Sequence, residues 1–286
     1  TGANGFIGKN LLVRLSELPG VTVSTFLRGD DVANLRDLVA RADCVVHLAG
    51  ENRPIDDAAF GQVNTGLTEA LCEALAAEHQ HSGRQLPFLL ASSTQAERDN
   101  LYGQSKLAAE QAVQTLCGAA GSPAIIYRLP GVFGKWCKPN YNSVVATFCH
   151  NIVRGLPIQI NDPAALLQLV YVDDVVSSFI AALDAPAAGL TRGEVSPAYT
   201  TTLGELAKQL HAFGDCRTTL MSERVGTGLV RALYATYVSY LPNDRFAYEV
   251  PQHADARGVF VEMLKTPDSG QFSYFTAHPG ITRGGH

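Results

Sequence analysis

The sequence predicts an α/β fold organised around a doubly wound parallel sheet, and three observations carry that expectation. A glycine-spaced turn at the start of the chain runs straight into a helical pattern. Short, wholly apolar runs of strand length recur after it, as in strands buried on both faces. Amphipathic stretches of helix length separate those runs, which is the alternation of right-handed βαβ units.

Taken in order, Thr1-Gly2-Ala3-Asn4-Gly5-Phe6-Ile7-Gly8 leads into Ile7, Leu11, Leu12, Leu15 and Leu18 at helical spacing, and Pro19-Gly20 stops them. Val21–Phe26 alternates apolar and polar like a strand until Arg28-Gly29-Asp30-Asp31 breaks it. Leu35, Leu38 and Val39 read as a short helix, and Cys44–Leu48 as a buried strand. A helix across Ala58–His79, a strand Phe88–Ala91, a helix Tyr102–Leu116 and a strand Ala124–Leu129 follow. From Gly134 to Pro163 the texture is loop-like, rich in Pro and Asn, before Val170–Ala182 returns to strand-then-helix. Thr202–Phe213 and Gly228–Leu241 are amphipathic helices. From about Arg245 the pattern alternates as in β-structure (Gly258–Leu264, Gln271–Thr276), and that shift marks a domain boundary. The residues beyond it are too few for an independent domain.

Composition bounds the function. The 286 residues are 46% hydrophobic and 17% charged, enough to build a core and too apolar for disorder. A net charge of −5 argues against nucleic acid as a partner. No apolar run is long enough for a membrane span, and no secretory signal opens the chain. The six cysteines are scattered without a C-x-x-C pair, as expected of reduced thiols in a cytoplasmic protein. No metal site is expected within the chain. His79-x-His81 reads as solvated loop, and His286 alone cannot make a site that needs three or four ligands.

Two constellations carry chemistry. G-x-x-G-x-x-G at Gly2, Gly5 and Gly8 allows a tight turn and close backbone approach to a pyrophosphate. Free N–H groups of the following helix then face the phosphates. Asn4, Phe6 and Ile7 belong to the same turn and are expected to hold a dinucleotide with it. Arg28 stands where a ribose-reading acid is usual and would suit the 2′-phosphate of NADPH; alternatively Asp30 or Asp31 takes the ribose of NAD. Tyr102 and Lys106 form Y-x-x-x-K on one helix face, downstream of Ser92-Ser93-Thr94 at a strand end. A nearby ammonium favours the phenolate and so brings tyrosine into acid–base range.

These residues resemble the extended short-chain dehydrogenase/reductase family, which implies a Rossmann-like sheet with a small substrate-binding lobe. The resemblance makes Thr94 the catalytic hydroxyl with Ser93 as runner-up, Tyr102 the acid/base and Lys106 the ribose anchor. His47-Leu48-Ala49-Gly50, Asn64, Tyr127–Gly134 and Val170–Val175 match further family elements, and the resemblance adds Leu48, Ala49, Gly50 and Lys106 to the residues expected to hold the dinucleotide; His47 is expected to be a core histidine. Thr94 is followed by Gln95-Ala96 where the family's dehydratases carry Asp-Glu, so dehydration is not expected.

Leu48–Pro54, Lys138–Ser143, Arg231–Tyr237 and Gly270–Thr276 are similar to the CapF-type capsular polysaccharide enzymes. That similarity implies a reductase domain over 1–245, its substrate lobe mainly from 135 on, its first strand lying before Thr1. Residues 246–286 would be the opening of a cupin domain continuing past Gly284-Gly285-His286, with zinc only in that remainder. The implied activity is NADPH-dependent reduction of the 4-keto group of a UDP-linked 2-acetamido-2,6-dideoxy hexose, coupled to cupin-catalysed C3 epimerisation. Ser93, Asn140, Asn142 and Arg231 are the candidate substrate contacts, and a homodimer is expected by analogy. The alternatives are an epimerase holding NAD tightly, or a non-catalytic NADP-sensing regulator of the same fold.

Overall fold

The computed structural model describes residues 1–52, 64–186 and 188–282, which form two compact units. The first comprises Thr1–Ser143 and Gln168–Tyr199. Its centre is a four-stranded, all-parallel sheet made by β1 (Val45–His47), β2 (Phe88–Ser93), β3 (Ala124–Leu129) and β6 (Leu190–Gly193), in the order β1-β2-β3-β6. A second parallel pairing joins β4 (Gly131–Phe133) to β5 (Leu166–Tyr171) through Val132↔Val170.

Strand alternation divides the core. Phe88, Leu90 and Ile126 face one side, buried with Leu71 and Leu75 of α3 (Leu67–Ser82) and Val113 and Leu116 of α4 (Leu101–Ala120). α2 (Leu35–Ala40) adds Leu35 and Val39 to that side. Leu89, Tyr127 and Leu129 face the other, against Leu11 of α1 (Phe6–Ser16) and Val175, Val176 and Phe179 of α6 (Val172–Asp184). Helices on both faces of a parallel sheet are the doubly wound arrangement expected.

The second unit comprises Val144–Leu167 and Thr200–His286. Its helices α5 (Val144–Ile152), α7 (Leu203–Thr219) and α8 (Gly228–Ser239) pack on one another. Phe213 sits in their core, its ring 5.7 Å from that of Tyr237. α7 opens with a capping box in which Thr202 and Glu205 satisfy each other's backbone N–H groups. β8 (Gln252–Asp255), β9 (Gly258–Thr266) and β10 (Gly270–Phe275) form an antiparallel meander in the order β10-β9-β8. β7 (Ala198–Thr202) lies at the junction of the two stretches of chain.

Several expectations are corrected. Val21–Phe26 makes no strand; Val21 and Val23 instead line an apolar groove together with Leu11, Leu15 and Val46. β2 runs two residues beyond Ala91, and α4 beyond Leu116. α5 lies within the stretch expected to be loop, and β4, β6 and β7 are additional short strands. His79 and His81 end helix α3 rather than lying in a loop. The start of the helix expected from Ala58 lies outside the described residues, as do Arg53-Pro54 and Gly284-Gly285-His286.

Candidate active site

The glycine turn works by the absence of side chains. Gly2 has φ +73°, and a Cβ there would lie 2.6 Å from Ala49 N. A Cβ on Gly8 would lie 2.2 Å from Gly2 O, so the helix can begin this close to the turn only with glycine. Gly5 is the N-cap and offers no side-chain cap, and the first turn holds no acid. The N–H groups of Phe6, Ile7 and Gly8 are therefore open to an anion. Asn4 is exposed in the same turn. Leu48, Ala49 and Gly50 follow β1 beside Gly2. These residues fit a dinucleotide pyrophosphate: the cradle is shaped by the Cβ atoms it lacks.

Arg28 reaches from the turn at 27–30 to Glu51, its guanidinium 2.5 Å from the carboxylate. The alternatives are engaged in their own turns: Asp30 Oδ2 accepts from Leu27 N, and Asp31 caps the turn at Val32–Asn34 through Ala33 N.

The acid–base candidates are brought together by β2 and α4. Asn100 caps α4, accepting from Gly103 N, which starts the helix one residue before Tyr102. Gly103 lets the 3-10 turn Thr94–Glu97 pack beneath the helix: a Cβ there would lie 2.3 Å from Gln95 O. Ser93, the last residue of β2, hydrogen-bonds the Tyr102 phenol and also caps the 3-10 turn through Gln95 N. Thr94 is exposed at the start of that turn. The geometry thus sets Ser93, rather than Thr94, against the phenol, because β2 extends further than the apolar run suggested.

Burial raises the Tyr102 phenol above its ordinary value, and the Ser93 bond opposes this. Lys106 lies one turn on with Nζ 5.9 Å from the Tyr102 ring centre, near Ala91 O at 3.4 Å. Burial brings its ammonium down to about 8, with the carboxylate of Glu110 opposing. Gly50 makes room for it, since a Cβ there would lie 2.8 Å from Lys106 Nζ.

Asn64 ties loop and helix together. Its Oδ1 accepts from Glu51 N at 2.7 Å, and its Nδ2 donates to Glu51 O and to Ser105 Oγ. His47 is a buried core histidine bonded to Thr1 Oγ1 and Thr68 Oγ1. Burial, with the Lys106 ammonium adding to it, holds its pKa well below 6.5.

A second cluster was not read from the sequence. Glu110, 3% exposed, accepts from Ser92 Oγ at 2.5 Å, from Arg128 at two nitrogens and from Arg192 at 2.8 Å. It ties α4 to β2, β3 and β6 one turn beyond Lys106. The available signal was an acid at i+4 from Lys106 on the buried face shared with Ala109 and Val113.

Glu110 and His47 both make acid destabilising. Despite its burial, Glu110 is held below 4.5 by its hydrogen bonds to Arg128, Ser92 and Arg192, so the unfolded chain takes up its proton first. Unfolding free energy should fall as pH drops below about 6.5, where unfolded His47 protonates, and again below about 4.5 for Glu110. Chemical denaturation across pH checks this. Glu110→Gln should flatten the lower limb and cost on the order of 2–3 kcal/mol at neutral pH; an unchanged limb would contradict the assignment.

The remaining substrate candidates are dispersed. Asn140 and Asn142 are exposed in the loop after β4, Asn140 with φ +54°. Arg231 is exposed on α8 in the second unit. Among the described residues no group of three His, Cys, Asp or Glu is placed to hold a metal, and no helix is long and apolar enough to cross a membrane.

Comparison with known proteins gives concordant matches. The model of the NAD dependent epimerase/dehydratase family matches residues 1–196, and that of the polysaccharide biosynthesis C-terminal domain matches 253–286. A UDP-2-acetamido-2,6-beta-L-arabino-hexul-4-ose reductase of Pseudomonas aeruginosa is 54% identical over 286 residues, all of this chain and 76% of that protein. The crystal structure of the capsular polysaccharide assembling protein CapF from Staphylococcus aureus superposes with a TM-score of 0.86 at 39% identity, over 99% of this chain and 76% of that one. RMD from Pseudomonas aeruginosa, solved with NADPH, shares the fold at a TM-score of 0.67 and 23% identity, covering 84% of this chain and 98% of its own.

Proposed function

The chain belongs to the NAD dependent epimerase/dehydratase family, and on that footing we propose that it is an NADPH-dependent reductase of the 4-keto group of a UDP-linked 2-acetamido-2,6-dideoxy hexose. The 54% identical relative that carries a 4-ketosugar reductase name supports the substrate class. The observation that carries the reaction is the half-buried phenol of Tyr102, bonded by Ser93 and backed by Lys106.

The nicotinamide, when bound, supplies the hydride. Gly2, Gly5 and Gly8 with the N–H groups of Phe6, Ile7 and Gly8 would hold the pyrophosphate, Arg28 the 2′-phosphate and Lys106 a ribose. Tyr102, its phenol raised above the ordinary value by burial, holds its proton at neutral pH, and the nearby Lys106 ammonium offsets the cost of giving that proton up. It donates that proton to the carbonyl oxygen while Ser93 Oγ positions the same oxygen. Lys106, still mainly charged at neutral pH, then stabilises the phenolate left behind. Ser93 takes this role in preference to Thr94. Gln95 and Ala96 offer neither acid nor base for elimination, which favours reduction over dehydration.

Asn140 and Asn142 are assigned to the sugar and Arg231 to the diphosphate. The β-meander from residue 246 is assigned to a distinct β-rich domain, supported by the second family match.

The test is NADPH oxidation on addition of a UDP-4-keto-N-acetyl sugar. Turnover is expected, with kcat/KM falling above pH of about 8 as Lys106 loses its proton. NAD that copurifies, together with sugar epimerisation and no net NADPH loss, would replace this reading with that of an epimerase.

A further inference from the structure

The geometry points to Glu51 as a determinant of cofactor selectivity: its carboxylate occupies Arg28 in place of a 2′-phosphate and competes with that phosphate for the guanidinium. This deepens the proposed function and rests on its assignment of NADPH to the groove at Gly2–Gly8.

The two partners of this ion pair are held very differently. The Arg28 side chain is 83% exposed at the tip of a turn, and Glu51 pairs with it at 2.5 Å. The Glu51 side chain is only 18% exposed. Its backbone is clamped on both sides by Asn64, whose N–H···O contacts to Glu51 measure 2.7 and 3.1 Å. Asn64 is 2% exposed and bonded to Ser105 on α4. The second carboxylate oxygen, Oε1, accepts from Tyr141 Oη at 3.2 Å. The acid is therefore fixed and the cation is the arm that moves.

With its guanidinium in solvent, the pair is worth about 1 kcal/mol, as at a protein surface, and opens readily. A phosphate dianion offers the guanidinium a stronger, bidentate partner and draws it away. The carboxylate left behind then repels the phosphate, which limits the affinity gained. A dinucleotide with a free 2′-hydroxyl brings no competing anion and leaves the pair closed. Glu51 thereby keeps the phosphorylated cofactor exchangeable between turnovers, as a reductase that must release its oxidised cofactor requires.

The experiment is calorimetric titration of NADPH, NADH, 2′,5′-ADP and 5′-AMP into the full chain, its Glu51→Gln variant and its Arg28→Gln variant. Glu51→Gln should tighten NADPH and 2′,5′-ADP by about fivefold, with NADH and 5′-AMP unchanged. Glu51→Ala, which keeps the backbone bonds to Asn64, should behave alike and guards against an effect peculiar to glutamine. Equal changes for both cofactors, or no tightening of NADPH in either variant, would overturn the role of Glu51. If Arg28→Gln still weakened NADPH selectively in that case, the cofactor assignment would stand alone. Wild-type protein that binds NADH as tightly as NADPH, with Arg28→Gln altering neither, would overturn the cofactor assignment and the Glu51 proposal with it.

Discussion

Tyr102→Phe is expected to lower kcat for ketosugar reduction by about 10²–10⁴-fold, the usual contribution of a positioned general acid. The substitution deletes one oxygen and keeps the ring that packs near Lys106. Thermal unfolding and NADPH affinity should move little, because the lost hydrogen bond joins half-buried Ser93 and Tyr102 at the site rather than in the core. Steady-state kinetics with a fixed UDP-ketosugar distinguishes the outcomes. A variant with the full rate would exclude Tyr102 as the proton donor. One that lost affinity and kept kcat would make it a binding residue.

Gly8→Ala is expected to be strongly destabilising. The added Cβ would sit 2.2 Å from Gly2 O, 2.8 Å from Ala3 O and 2.9 Å from Ala3 Cα. All three are backbone atoms of the turn, and none can yield by rotating a side chain. Relief requires moving α1 off the turn, which also moves Gly2 away from Ala49. The cost should be about 3 kcal/mol, lowering Tm by roughly 6–12 °C for a chain of this size. NADPH binding should weaken in parallel. Gly20→Ala is the control: φ is +79° there, but nothing lies within 4 Å of the added Cβ. It should cost only about 1 kcal/mol of backbone strain and leave cofactor affinity alone. Equal Tm values for the two variants would show that the turn is looser than its distances indicate.

How far the sequence disclosed this site follows from what periodicity can report. β2 and β3 were legible because a strand buried on both faces is an uninterrupted apolar run, and α4 because its Tyr102–Lys106 face repeats at helical spacing. Alternation over Val21–Phe26 was a poor guide because it reports which side chains share a face, not whether a neighbouring strand lies within bonding reach. α5 was hidden for another reason: the Pro-, Gly- and Asn-rich segments on either side of Val144–Ile152 set the texture of the whole stretch. The choice between Ser93 and Thr94 turned on where β2 ends. Successive side chains in a strand face opposite ways, so one residue of register decides which hydroxyl meets the phenol. The buried partners were harder still. Glu51, Asn64 and Glu110 are polar residues whose roles depend on contacts many positions away, and local pattern carries no record of those contacts.

Glu110 also bears on how such a protein could change over generations. Its bonds to Ser92, Arg128 and Arg192 hold the catalytic helix from beneath, on the sheet side, whereas Asn140 and Asn142 sit in an exposed loop. On the proposed assignment, proton transfer and sugar choice are written into different parts of the polypeptide. The loop can accumulate substitutions that admit a new sugar while the phenol and ammonium keep their spacing. A lineage built on this plan can diversify its glycans and retain one chemistry throughout.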